Sequence, residues 1–123
     1  KNMSSSLNKL QRPLVGEIGY IDFDPSAGSE IQKRRPAIVI SQNDFNRTGF
    51  CIVCPITHTE RPLFVRIPDG LPVEGYINVI QAKSIDWRAR RWKRTTTCPV
   101  EALEQVQEIV AVAILGECSI IRT

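Results

Sequence analysis

The sequence predicts a mainly β protein, a small barrel or strongly bent sheet carrying one C-terminal α-helix. Three observations support this. Short runs rich in β-branched residues recur from Leu14 onward, and clusters of Pro, Gly, Ser, Asn and Asp separate them. Only after Pro99 does the apolar spacing change from two to three and four.

In chain order, LVGEIGYIDF (14–23) reads as the first strand and DPSAGSE (24–30) as a turn region, with Asp22 and Asp24 read as turn formers rather than catalytic groups. PAIVIS (36–41) is a strand whose continuous apolar run, Ala37 to Ile40, has the look of a buried one. A polar loop, QNDFNRTG (42–49), leads into the strand FCIVCPI (50–56). LFVRI (63–67) alternates, PDGLPVEG (68–75) is dense in turn formers, and YINVIQ (76–81) resumes the strand signal. Strands this many and this short favour a barrel. Finally, PVEALEQVQEIVAVAIL (99–115) sets Val100, Leu103, Val106, Val110 and Ala113 along one helical face. Pro99 suits the first helical position, Glu101 the positive end of the helix dipole, and Gly116 the stop. Such a helix would cover one opening of the barrel.

A chain of 123 residues with 42% hydrophobic content suits one domain, expected over 14–123. The polar, Ser-rich residues 1–13 read as a flexible segment, and Lys1 and Asn2 ahead of Met3 fit residues appended to the natural chain. No apolar stretch reaches membrane-spanning length and the N-terminus lacks the apolar centre of a signal peptide, so a cytoplasmic location without a membrane partner is expected. The net charge of +3 is mild, but basic residues crowd into Lys33–Arg35 and Arg88–Arg94 while acidic ones gather in the last third.

Cys51 and Cys54 form a C-x-x-C pair inside a predicted strand, where residues three apart point to opposite faces. With His58 the only histidine and Cys98 and Cys118 isolated, no zinc site is expected, and the thiols read as small core residues in a reducing compartment. A serine triad, a P-loop and a dinucleotide fingerprint are all excluded by the residues present. What remains is a cationic β protein with DWRARRWKR, where Trp87 and Trp92 are interleaved with basic side chains. That composition suits single-stranded nucleic acid, with cations on phosphates and aromatic planes on bases. A solvated loop with two anchoring tryptophans explains it equally well.

Four collinear stretches resemble the MazF/PemK family of toxin endoribonucleases, the toxin halves of bacterial type II toxin–antitoxin pairs: GEIGYIDFDPSAGSEIQKRRPAIVIS, CPIT, IQAKSIDWRAR and the Pro99 helix. Together they span about Val15 to Gly116. The resemblance implies an SH3-like (CcdB/PemK-like) barrel, a homodimer, and a MazE-like antitoxin that occludes the RNA groove. It also implies sequence-selective cleavage of single-stranded RNA, such as mRNA, without a metal or other cofactor, and contact with DNA only through the antitoxin complex. By motif position it makes Arg35 and Thr57 the catalytic pair, places Ser29 and Glu30 in the G-S-E element, and puts Gln81 and Lys83 at positions of RNA contact. His58 stands where Ala or Thr is frequent, and RRWKR is more basic than usual.

Metal-free RNA cleavage can use the 2′-hydroxyl as nucleophile, giving a 2′,3′-cyclic phosphate and a 5′-hydroxyl. Arg35 suits the charge growing on the phosphoryl oxygens, and Pro36 restricts its backbone to extended conformations. Thr57, ending a strand, can offer its hydroxyl to a nonbridging oxygen. Glu30 is the candidate base, with surface pairing to Lys33 or Arg34 as the alternative. Further RNA contacts are expected from Ser29, Lys33, Arg34, His58, Gln81, Lys83, Trp87, Arg88 and Arg90. His58 would point away from the site if Thr57 points into it. Two other readings stay open: a gyrase-poisoning toxin of the CcdB type, disfavoured by the ending CSIIRT, and a noncatalytic nucleic-acid-binding barrel.

Overall fold

The computed structural model describes residues 11–23 and 34–116. Among the described residues seven strands run β1 (Glu17–Asp22), β2 (Arg34–Val39), β3 (Phe50–Thr57), β4 (Val65–Arg66), β5 (Tyr76–Ile77), β6 (Lys83–Asp86) and β7 (Lys93–Thr97). A single helical turn, α1 (Asn43–Asn46), joins β2 to β3, a 3₁₀ turn (Val79–Gln81) joins β5 to β6, and α2 (Val100–Leu115) follows β7. Every pairing is antiparallel, in the order β4-β5-β3-β2-β1-β7. β3 is long enough to take β6 along Phe50–Val53 and β5 at Ile56–Thr57. One strand serving two partners, together with a register shift in β1 between Ile18 and Gly19, curls the sheet. The mainly β architecture with a C-terminal helix is thus the expected one.

Apolar groups pack on both faces of the curled sheet, which is why Ala37–Ile40 reads as an unbroken run rather than an alternating one. Ile18, Ile38, Cys54, Ile56 and Ile77 face a core that α2 covers with Leu103 and Val106. Ile21, Ala37, Val39, Cys51, Val53 and Ile85 line a second core, capped by Trp87 and Trp92. Cys51 and Cys54 therefore lie in different cores, as the strand alternation required. Burial pushes both thiols up to about 12, so they stay protonated and inert at neutral pH.

Several elements differ from the sequence expectation. LFVRI and YINVIQ contribute only the two-residue strands β4 and β5. β6 and β7 were not expected, because exposed strands rich in Lys, Arg, Ser and Thr carry little apolar alternation. Part of the polar loop before β3 is helical and turns inward on Asn46, which is fully buried. Its amide oxygen accepts from the Ser41 hydroxyl at 2.5 Å, its amide nitrogen donates to the carbonyls of Pro13 and Ser41, and its own carbonyl accepts the Trp87 indole N–H at 3.0 Å. Pro99 is the N-cap residue rather than the first helical one. The buried stripe of α2 runs through Ala102, Leu103 and Val106, and Val100 is exposed.

Asp22 is the end of β1 and not a turn former. Its carboxylate, nearly fully buried, accepts from Arg34 Nη1 at 2.9 Å and from Arg91 Nε and Nη2 at 2.7 and 3.2 Å. The Arg91 hydrogen bonds hold the carboxyl below its ordinary value of 3.8; burial opposes this and Arg34 assists it. A lowered folded-state value means that the stabilisation is complete above 3.8 and is lost as pH falls through the folded value. Asp22→Asn is accordingly expected to cost about 2 kcal/mol at neutral pH. The gap to the unaltered protein in urea unfolding should close below pH 3.8; a gap independent of pH would show that Asp22 acts by packing alone.

Candidate functional site

The site is set where the β2–β3 pairing ends, next to Pro36. Pro36 on β2 supplies no N–H to the ladder with β3, whereas the Pro55 carbonyl on β3 turns to the other side and accepts from Asn78 N–H, and the β2–β3 pairing ends at Ala37↔Pro55. Beyond that point β2 continues against β1, through Arg35↔Ile21 and Arg34↔Asp22, while β3 continues against β5 through Thr57↔Tyr76. The two strand ends are therefore held from their outer sides and open between them. Extending the β2–β3 register by two residues sets Arg35 across from Thr57. Both share the face of Ala37, Val39 and Val53, so they stand at the rim of the second core.

Arg35 is exposed and Thr57 half-buried. The Thr57 hydroxyl oxygen accepts the backbone N–H of Thr59 at 3.2 Å, which fixes the side chain and leaves its proton to be donated. Lys83 pairs with Val53 and so projects from the same face, about 13 Å further back along β3. Its ammonium lies 5.2 Å from the centre of the Phe23 ring, reaching over the second core toward the end of β1. Gln81 is exposed and ends the 3₁₀ turn, where its side-chain oxygen accepts from Asn78 Nδ2 at 3.2 Å. Arg88 is exposed with its guanidinium over Trp87 at 5.3 Å. His58 lies beyond the end of β3 and lines a cleft with Arg66 and with Tyr76, the partner of Thr57.

Three expected RNA contacts have other employment. Arg34 is not a solvated charge, because its guanidinium donates to Asp22, to the Tyr20 carbonyl at 3.1 Å and to the Arg91 carbonyl at 2.7 Å. Trp87 is 4% exposed and its indole N–H is used within the fold, so it anchors the basic loop and offers no face for stacking. Arg90 donates to the carbonyls of Asp22 and Phe23, which clamps the end of β1. Ser29, Glu30 and Lys33 lie outside the described residues.

Sequence reasoning missed the Asp22–Arg34–Arg91 cluster, although its consequence is local to the site: it ties the residue next to Arg35 to β1 and to the β6–β7 turn. Only the adjacency of an Asp to two basic runs hinted at it. Gly75 was also missed. A Cβ there would come 2.3 Å from the Thr57 carbonyl oxygen, so β5 reaches Thr57 only because position 75 has no side chain. Among the described residues no group of three or more His, Cys, Asp or Glu is placed to hold a metal ion.

Comparison with known proteins adds to this geometry. Residues 14–114 match the family model described as a PemK-like, MazF-like toxin of a type II toxin–antitoxin system. The endoribonuclease toxin MazF of Escherichia coli K12 is 35% identical over 104 residues, covering 83% of this chain and 94% of its own. The crystal structure of MazF from Deinococcus radiodurans superposes with a TM-score of 0.76 at 32% identity, over 88% of this chain and all of the other. A MazE–MazF complex from the same organism gives 0.79 at 32% identity over 89% of this chain.

Proposed function

The chain belongs to the family of PemK-like, MazF-like toxins of type II toxin–antitoxin systems, and from that premise we propose that it is a ribosome-independent endoribonuclease that cuts single-stranded RNA at short sequences without a metal. The observation that carries this reading is the end of the β2–β3 pairing, where Arg35 and Thr57 fall on one face of neighbouring strand ends with Arg35 exposed and Thr57 half-buried. In the reaction the 2′-oxygen bonds to phosphorus, the bond from phosphorus to the 5′-oxygen breaks, and a cyclic phosphate and a 5′-hydroxyl result. Arg35 donates to the nonbridging oxygens as their charge grows, where planar paired donors are effective. Thr57 donates a hydrogen bond from its hydroxyl to a nonbridging oxygen of the same phosphoryl group and keeps its proton. Glu30 takes the 2′ proton, and a protonated group returns one to the 5′-oxygen. Lys83, Gln81 and Arg88 contact flanking nucleotides, and Arg88 carries its own aromatic support.

The relative solved with MazE supports a MazE-like antitoxin as partner. Ile114 and Leu115, 76% and 59% exposed near the end of α2, leave apolar surface for a protein interface such as that of a homodimer. Incubating the purified protein with RNA in EDTA and mapping the ends tests the proposal. Clustered cuts ending in cyclic phosphate are expected; intact RNA, or cleavage only on adding a divalent cation, overturns the mechanism.

A further inference from the structure

Arg35 and Thr57 are two members of a longer row. Thr57 pairs with Tyr76, and Tyr76 pairs with Arg66. Residues opposite one another in an antiparallel ladder share a face, so Arg66, Tyr76, Thr57 and Arg35 project from the same side of the sheet, in that order across β4, β5, β3 and β2. Arg66 to Thr57 spans two paired inter-strand steps, about 10 Å.

Beside this row lies a cleft of about 360 Å³, lined by His58, Arg66, Asp69, Glu74 and Tyr76 among others. Its size falls at the lower end of small-ligand pockets, enough for one base. Arg66 is oriented by its bond to Asp69 at 2.7 Å. The half-buried Tyr76 ring is a rigid apolar plane next to Thr57, the kind of surface on which an unpaired base stacks. Glu74, exposed in the same cleft, supplies an acceptor-only group.

We propose that this cleft is the specificity pocket for the base adjoining the scissile phosphate, and that it selects guanine. The inference rests on the endoribonuclease reading and names the recognition that reading leaves open. A carboxylate accepts from both N1–H and the 2-amino group of guanine. Adenine and cytosine set an acceptor beside their single amino group, and uracil flanks its one N–H with two carbonyls, so each would turn an oxygen or ring nitrogen toward Glu74. Arg66, at the outer end of the row, holds the phosphate on the far side of that base. Tyr76 carries the stacking.

Binding separates this proposal from the chemistry. Arg35→Ala protein, which is expected not to cut, is titrated by fluorescence anisotropy with labelled oligouridylates carrying one guanine, one inosine base or one adenine. Guanine is expected to bind about 5- to 150-fold more tightly than adenine, with inosine between them because it lacks the 2-amino group. Adding Glu74→Gln should erase most of the difference. Tyr76→Ala should weaken the guanine strand by about 5-fold or more, and Tyr76→Phe should restore it. Equal binding of guanine and adenine, or a ratio that survives Glu74→Gln, overturns the assignment. Selective binding by a protein that never cuts RNA would instead defeat the endoribonuclease reading and leave the pocket standing. Cutting without guanine dependence would do the reverse.

Discussion

Arg35→Ala is expected to lower kcat for RNA cleavage by about 10²–10³-fold while leaving thermal unfolding nearly unchanged. The guanidinium is exposed at the rim and β2 is held at this point by its pairing with β1, so its removal takes little from the fold. Its contribution is concentrated in the transition state, where charge accumulates on the phosphoryl oxygens. A fall in kcat larger than any rise in KM is therefore the expected signature. Arg35→Lys keeps the charge but not the paired, planar donors, and should recover only part of the rate. The neighbouring Arg34→Ala should behave oppositely, because Arg34 ties β2 to Asp22 and to two carbonyls. It should lower the unfolding midpoint first and the rate second. Wild-type kcat in Arg35→Ala would move the catalytic role elsewhere.

Gly75→Ala is expected to cost stability and activity together. Position 75 has φ of 130°, a conformation that L side chains rarely adopt, and a Cβ would meet the Thr57 carbonyl oxygen at 2.3 Å. Relief requires β5 to move away from β3 where Thr57 pairs with Tyr76. A loss of about 2 kcal/mol or more is anticipated, roughly 8 °C or more in Tm for a chain of this size, together with a lower kcat as Thr57 loses its placement. Gly49→Ala is the control. Gly49 also has positive φ, 100°, but nothing lies within 4 Å of the added carbon. It should show the backbone cost without the loss of kcat. Equal kcat in the two variants would show that contact with Gly75 does not position Thr57.

The β fold was legible because its signals are local. Runs of β-branched residues between turn formers, and the change of apolar spacing after Pro99, depend only on near neighbours in the chain. So did the separation of Cys51 from Cys54, which follows from strand alternation and is realised in two distinct cores. The weak elements escaped for the converse reason. β6 and β7 are polar, and strand pairing rather than composition makes them strands.

Arg35 and Thr57 were singled out from motif position, and Pro36 gave a local reason for an extended, directed arginine. That the two lie on one face, at neighbouring strand ends where the β2–β3 pairing stops, is a property of the β2–β3 register. No local pattern contains it. The basic residues divide in the same way. In sequence Arg34, Arg88, Arg90 and Arg91 are equivalent cations, and what distinguishes them is which backbone carbonyls and carboxylates the folded chain brings within reach. Asp22 is 69 residues from Arg91 and bonds it at 2.7 Å. By itself the sequence determined the apolar strands β1 to β3, the long C-terminal helix, and which residue types suit phosphate chemistry. Only the tertiary structure decided which charges bind the protein's own carbonyls and carboxylates and which face outward, because that depends on contacts between residues far apart in the chain.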